Sequence, residues 1–219
     1  MNYSFAVDHI DHVSTPVLPK PKARIFVRNF KPGRYLFHEG DKAERVYQIV
    51  SGVLRLTCVT ENGHRQVIAF GFPGDIVGFP DGSIHNTDCD VLEAARVIPH
   101  RLDAFENGTP DSAAYQHLMQ AALHEISNMQ NHFMMIGRKT SVARVASFLS
   151  VLADRLGEPL GQYTKVTLPM SRSDIADFLG LTTETVSRTI TQLCKDKLIE
   201  RENSCALVIL KPAALMDLA

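Results

Sequence analysis

The polar side chains of greatest chemical interest in this 219-residue sequence are Glu184, Ser187 and Arg188. They are spaced i, i+3 and i+4, so they project from one side if the segment is a helix. A guanidinium can donate two hydrogen bonds to O6 and N7 of a guanine, a carboxylate can accept one from the N4 amino group of a cytosine, and a hydroxyl suits a neighbouring base. The three side chains therefore have the chemistry needed to read base edges. A rival interpretation is that Glu184 and Arg188 form an ordinary salt bridge on an exposed helix.

The segments around these side chains favour the first interpretation. Ser171 is placed to cap a short helix, and Asp174 to complete a capping box three residues later. Gly180 permits a sharp turn, and Thr182 can cap a second helix that ends near Lys195. Apolar residues at helical spacing predict the buried faces: Ile175, Phe178 and Leu179 in the first helix, and Val186, Ile190 and Leu193 in the second. This pattern is typical of a DNA-binding helix-turn-helix.

The two helices also supply candidate contacts to the DNA backbone. Helix N-termini and short polar side chains suit phosphate oxygens, which orient a protein without identifying bases. The candidates are Ser171, Arg172, Ser173, Thr182 and Thr183. Residues 197–210 then predict a β-hairpin with its turn at Asn203-Ser204, which would make this unit a winged helix.

The first half of the sequence predicts a mainly β domain. Segments 46–50, 53–59 and 66–72 are rich in β-branched and aromatic residues, and turn residues separate them at Ser51-Gly52 and at 61–63. Short strands at this spacing indicate an antiparallel sandwich or barrel.

A long helix is predicted between the two domains. Apolar residues recur there in alternating steps of four and three, which gives one narrow seam: Tyr115, Met119, Ala122, Ile126, Met129, Phe133 and Ile136. A narrow seam suits contact with the same helix of a second subunit across a two-fold axis, so these residues are predicted to form a dimer interface. The alternative is that the seam packs against its own domain. His117 and His124 lie off the seam and are predicted to form its polar flank.

Composition excludes several other classes of protein. Hydrophobic residues make up 45% and charged residues 21% of the chain, as in ordinary globular proteins. No apolar run is long enough to span a membrane, and the start lacks the layout of a signal peptide, so a cytoplasmic location and no membrane partner are predicted. The net charge of −1 hides an asymmetry, because residues 137–219 carry 11 Lys and Arg against 9 Asp and Glu. The 4 cysteines lie far apart, which predicts reduced thiols and no metal site.

Residues 171–188 closely resemble the signature of the CRP/FNR superfamily of bacterial transcription regulators, and segments 72–78, 137–140 and 144–149 extend the likeness. The resemblance implies an α+β chain with an N-terminal antiparallel β-roll, cupin-like and of the cyclic-nucleotide-binding-domain type, a long dimerisation helix and a C-terminal winged helix-turn-helix. The implied boundaries are an N-terminal extension at 1–24, the β-roll at 25–110, the dimerisation helix at 111–137 and the DNA-binding domain at 138–219. The implied partners are a second copy of the chain, double-stranded DNA and RNA polymerase.

The Glu-x-x-Ser-Arg form of the second helix resembles the FNR and FixK branches of the superfamily. It implies a palindrome with TTGAT-like half-sites, in which Arg188 and Glu184 read the G·C pair and Ser187 reads a neighbouring T·A pair. It also implies an activator in an oxygen-limitation or nitrogen-metabolism circuit.

Family patterns also bear on which signal the β-roll senses. Cyclic-nucleotide readers of the superfamily carry Gly-Glu followed by an Arg-Ser or Arg-Thr pair, whereas here Asp75 follows Gly74 and no arginine occurs between Arg65 and Arg96. Cyclic AMP would thus lack a charge partner for its phosphate. An FNR-type iron–sulfur cluster needs N-terminal cysteines, and the first cysteine here is Cys58.

The prediction is therefore a FixK-like regulator without a bound cofactor, although a histidine-ligated haem, as in candidate nitric-oxide sensors of the NnrR/DNR type, stays open. His9 and His12 could suggest a metal but are interpreted as solvated side chains, and Cys194 as a small packing residue rather than a redox switch. A ligand-gated regulator is a further alternative. A catalytic cupin would need a cluster of His and carboxylate ligands, and only His64 and His85 occur between Val46 and Arg96, so no enzyme is predicted.

Overall fold

The structure, a computed structural model, describes residues 26–102, 113–138 and 140–219. The predicted N-terminal extension, with His9 and His12, lies outside the described residues, as do the boundaries predicted at 25 and 111. The described part has the predicted α+β architecture, with an antiparallel sheet, a long helix and a C-terminal unit of helices and a small sheet.

The N-terminal sheet has six antiparallel strands: β1 Arg28–Phe30, β2 Tyr35–Phe37, β3 Arg45–Val59, β4 Arg65–Gly71, β5 Ile76–Val77 and β6 Asp88–Arg101. The main order is β1-β6-β3-β4, with β2 beside β6 and β5 beside β3. The long strands β3 and β6 pair along most of their length and enclose a core that includes Ile49, Leu54 and Val97.

The predicted turn at Ser51-Gly52 is wrong, because β3 continues through it as one strand with an irregular register against β6. Gly52 has φ +85°, and a Cβ there would lie 2.5 Å from the carbonyl oxygen of Ala94. The glycine therefore marks a bulge where two strands approach closely, and sequence alone does not distinguish such a bulge from a turn.

The long helix α1, Ala113–Arg138, has one side against the β-roll and another side free. Leu118 is buried against Val46 and Ile76, whereas Ile126 and Phe133 of the predicted seam are exposed. The prediction for His117 is wrong: its Nε2 is buried and its ring lies 6.4 Å from that of His100 on β6. The contact with His100 places the His117 ring on the side of α1 that faces the sheet.

The C-terminal unit contains helices α2 Ser141–Leu156, α3 Arg172–Leu179, α4 Thr183–Lys195 and α5 Pro212–Asp217. Its strands are β7 Glu158–Leu160, β8 Tyr163–Thr167, β9 Ile199–Arg201 and β10 Ala206–Ile209, in the order β7-β8-β10-β9. The predicted hairpin is present as β9 and β10, and its turn is closed by the Asn203 side chain, whose Oδ1 accepts from Cys205 N at 2.8 Å.

One hydrophobic core runs through the C-terminal unit and into the β-roll. Leu149, Ile175 and Leu193 belong to the same buried cluster as Val67 and Phe70 of β4. The two parts of the chain therefore share apolar contacts, and the position of the C-terminal helices depends on the β-roll.

Candidate DNA-binding site

The helix α3 begins with the capping box that the sequence predicts. Ser171 Oγ accepts from Asp174 N at 3.0 Å, and Asp174 Oδ2 accepts from Ser171 N at 3.0 Å. Both bonds satisfy amide groups that the helix itself leaves unpaired at its start. The helix ends at Gly180, whose φ of +62° is the left-handed conformation that glycine adopts without a Cβ penalty.

The helix α4 follows after a short turn and is fixed by its buried side. Thr182 Oγ1 accepts from Thr185 N at 3.1 Å, which caps the helix as predicted. Val186, Ile190 and Leu193 are buried, also as predicted. The opposite side of α4 is therefore presented to solvent.

The predicted base-reading side chains lie on this outer side. Glu184 and Arg188 are 76% and 73% exposed, and Ser187 between them is half-buried. Arg188 Nη2 lies 3.7 Å from Glu184 Oε1, so the ion pair of the rival interpretation is present. Such an exposed pair is worth only about 0.3 to 0.5 kcal/mol, so it does not prevent either side chain from binding a base.

The candidate phosphate contacts differ in their availability. Ser173 and Thr183 are exposed at the starts of α3 and α4, whereas the hydroxyls of Ser171 and Thr182 already serve as caps. Arg172 departs from expectation because it is half-buried, and its buried Nη1 has no hydrogen-bond partner among the described residues. In this position its Nη1 cannot reach a phosphate.

Burial, followed by the nearby charge of Arg201, lowers the pKa of the Arg172 guanidinium. Both causes disfavour the charged form where the side chain now lies. A phosphate would supply the missing charge partner if the side chain turned outward.

Sequence reasoning missed the residues of α2 and the β-roll that bind the helix-turn-helix on the side away from Glu184 and Arg188. Arg144 of α2 donates from Nη1 to the carbonyl oxygen of Leu179 at 3.0 Å, next to the turn at Gly180. The Asp174 carboxylate also binds Arg55 and Arg65 of the β-roll, at 2.6 and 2.7 Å. No local pattern signals these contacts, because Arg144 lies 35 residues from Leu179, and Arg55 and Arg65 lie 119 and 109 residues from Asp174.

Comparisons with known proteins agree with this geometry. Residues 143–218 match a Crp-like helix-turn-helix domain, and residues 27–107 match a cyclic nucleotide-binding domain. The nitrogen fixation regulation protein FixK of Rhizobium meliloti is 35% identical over 210 residues, which cover 95% of this chain and 93% of FixK. The chain belongs to the CRP/FNR family of transcription regulators.

Two further proteins support the family assignment. The transcriptional activatory protein AadR of Rhodopseudomonas palustris is 37% identical over 171 residues, 78% of this chain and 72% of AadR. The structure of FixK2 from Bradyrhizobium japonicum superimposes with a TM-score of 0.78 at 30% identity, over 88% of this chain and 96% of FixK2. The predictions of a DNA-binding transcription regulator and of a chain that is not an enzyme are confirmed.

The β-roll of this CRP/FNR protein uses Asp75 for a structural contact. Asp75 follows Gly74, at the position where the cyclic-nucleotide pattern has glutamate. Its Oδ2 accepts from Phe72 N at 2.8 Å, and its Oδ1 forms a short ion pair with Arg155 of α2. Both carboxylate oxygens are therefore already bound within the chain.

Histidines and cysteines of the described residues do not assemble into a metal site. No group of three or more His, Cys, Asp or Glu in residues 26–102, 113–138 and 140–219 is arranged to hold a metal ion. Burial raises the pKa of the Cys58 and Cys89 thiols, which keeps them protonated. None of the helices that the structure describes has the length and apolarity to cross a membrane.

Proposed function

We propose that this protein is a homodimeric transcription activator that recognises a palindrome with TTGAT-like half-sites. The observation that carries the proposal is the joint exposure of Glu184 and Arg188 on the outer side of a capped α4. Arg188 and Glu184 would read the two bases of the G·C pair, and Ser187 the adjacent T·A pair. Ser173 and Thr183 would contact flanking phosphates, and so would Arg172 once its side chain turns outward.

The exposed seam of α1 supports the homodimer. Ile126, Met129 and Phe133 are 51%, 58% and 76% exposed, and Leu123 and Met134 extend the apolar surface. Exposed apolar side chains along one side of a helix suit the same helix of a second subunit. Tyr115, Met119, Ala122 and Ile136 are half-buried in the single chain and would lie along the same contact.

The circuit is proposed from relatives named as nitrogen fixation regulators and as a transcriptional activatory protein. We infer a regulator of genes for oxygen limitation or nitrogen metabolism that acts with RNA polymerase in the cytoplasm. The engagement of Asp75 by Arg155 supports activity without a bound cyclic nucleotide, and we propose that no cofactor is bound.

The direct experiment compares binding of the purified protein to a TTGAT palindrome and to a scrambled duplex of the same length. Arg188→Ala should reduce discrimination at the G·C position by about 1 to 3 kcal/mol while binding to the scrambled duplex changes little. Affinity for both duplexes should fall steeply with salt. Equal binding of the wild-type protein to both duplexes would refute the proposal, and a gain in affinity with cyclic nucleotide or haem would refute the cofactor-free state.

A further inference from the structure

The start of α3 is tied to the β-roll through a chain of three buried or half-buried charges. Asp90 on β6 binds Arg55 on β3 through two hydrogen bonds, at 3.0 and 2.8 Å. The same guanidinium donates from Nη1 to Asp174 Oδ1 at 2.6 Å. The side chains of Arg55, Asp90 and Asp174 are 15%, 8% and 5% exposed, so this ion pair is largely withdrawn from water. Charge-assisted hydrogen bonds in such surroundings are strong and directional.

Asp174 connects this contact directly to the helix-turn-helix. Its Oδ2 is used by the capping box with Ser171, and its Oδ1 by Arg55 and Arg65. Burial by itself would raise the pKa of Asp174, but the hydrogen bonds from Ser171 and the charge of Arg55 lower it overall. The carboxylate is thus held in its charged form, in a fixed rotamer, at the first turn of α3.

Further contacts around this ion pair resist rotation of the helix-turn-helix. Gln66 Nε2 on β4 donates to the carbonyl oxygen of Asp177 at 2.5 Å, and the Phe70 and Phe178 rings lie 5.1 Å apart. A second ion pair has the opposite polarity, because there Arg155 of the C-terminal unit binds Asp75 of the β-roll. A rotation of the C-terminal unit would break these contacts together.

The orientation of α4 has a direct consequence for a dimer on a palindrome. Half-sites one helical turn apart are separated by about 34 to 36 Å, so each added base pair moves a half-site by about 3.4 Å and turns it by about 35°. Two copies of α4 can fit both half-sites only if each is fixed relative to the two-fold axis.

We propose that Arg55 is a positioning residue for DNA reading: through Asp174 it holds the helix-turn-helix in the orientation that matches one half-site spacing. This role rests on the dimeric, palindrome-binding function proposed above.

The test measures affinity for duplexes with the best-bound spacer between half-sites and with spacers one and two base pairs longer. The main variant is the double substitution Arg55→Gln with Asp90→Asn, which removes the ion pair between Arg55 and Asp174 without leaving a buried unpaired charge on the β-roll, while Arg65 still pairs with Asp174. We expect its preference for the best spacer to fall by about tenfold relative to wild type, which corresponds to about 1.4 kcal/mol of coupling. Discrimination at the G·C position, measured on a single half-site, should remain that of wild type.

Two single variants complete the comparison. Arg65→Gln removes the half-exposed second partner of Asp174 and should lower the spacer preference in the same direction but less. Arg96→Gln removes the same charge from an exposed position on β6 and should leave the preference unchanged. Thermal unfolding of each variant shows whether it is folded.

Two results would overturn the positioning role. One is a folded double variant that keeps the full wild-type spacer preference. The other is a variant that binds every duplex more tightly, since the contact would then restrain binding rather than position it. Wild-type protein that does not distinguish the palindrome from a scrambled duplex would instead refute the proposed function, and the spacing role with it.

Discussion

At the residue scale, Asp174 shows how one carboxylate can stabilise a helix terminus and an interdomain contact at once. Its two oxygens face different partners, Ser171 on one side and the arginines Arg55 and Arg65 on the other. The capping role could be predicted from the spacing of Ser171 and Asp174, because it is local. The interdomain role could not, because it depends on strands that lie far away in the chain.

This division of roles gives different expectations for the two capping residues. Ser171→Ala removes the cap and should lower the free energy of unfolding by about 1 kcal/mol. Asp174→Asn keeps the shape but removes the negative charge that Arg55 and Arg65 bind, while Asp90 still pairs with Arg55, and it should cost about 1.5 to 3 kcal/mol. Urea unfolding at one fixed protein concentration compares the two variants, and equal losses would show that the interdomain contact adds nothing to stability.

At the scale of elements, the turn between α3 and α4 depends on the backbone of Gly180. With φ +62°, an alanine would pay the left-handed penalty of about 1 to 2 kcal/mol, although the nearest atom to its Cβ, Arg144 Nη1, would be at an ordinary 3.5 Å. Gly137, on α1, has no neighbouring atom within 4 Å of an added Cβ. We therefore expect Gly180→Ala to lower the melting temperature and Gly137→Ala to raise it slightly, since alanine favours a helix by about 0.5 to 1 kcal/mol. A Gly180→Ala variant as stable as wild type would contradict the strain argument.

The elements also show which parts of the fold are predictable from sequence. The helices around the site were predicted because caps and apolar periodicity act within a few residues, as at Ser171, Gly180 and Thr182. The continuation of β3 through Gly52 was missed because a bulge and a turn use the same residue. The side of α1 occupied by His117, and the half-burial of Arg172, follow from packing between distant segments, which no local pattern reports.

At the scale of the whole molecule, the exposed seam of α1 sets an expectation for assembly. Phe133→Glu would place a charge within the proposed apolar two-helix contact, where desolvation of an unpaired charge is costly. We expect a dimer for the wild-type protein and a monomer for the variant in light scattering after size-exclusion chromatography. Val59→Glu, at an exposed apolar residue of the β-roll, is the matched control and should remain dimeric. A dimeric Phe133→Glu would place the interface elsewhere.

One buried and two half-buried histidines contribute to the pH dependence of the whole molecule. Burial lowers the pKa of His85, His100 and His132. The neighbouring His117 lowers the pKa of His100 further, whereas the charge of Asp41 partly opposes the lowering at His85. A lowered folded-state pKa means that the folded chain binds fewer protons than the unfolded chain below the ordinary histidine pKa of about 6.5. The contribution of these histidines to the free energy of unfolding should therefore be constant at higher pH and fall as the pH is lowered through that value. The raised pKa of Glu125, caused by burial and the charge of Asp75, acts in the opposite direction and reduces the fall at the acidic end.

The contribution of a single histidine to this pH dependence can be tested at His132, where α1 contacts α3. Its ring stacks on that of Phe178 with 4.0 Å between the ring centroids. Its buried Nδ1 has no hydrogen-bond partner among the described residues. Protonation would therefore place an uncompensated charge against an aromatic ring that packs in the core. His132→Phe keeps the ring stacking and removes the proton, and we expect it to lose less stability than wild type between about pH 8 and about pH 5.5. The exposed His64, changed in the same way, should follow the wild-type curve. Urea unfolding across this pH range at constant protein concentration measures the difference. If the free energies of unfolding of His132→Phe and wild type change with pH in parallel, protonation of His132 does not affect stability.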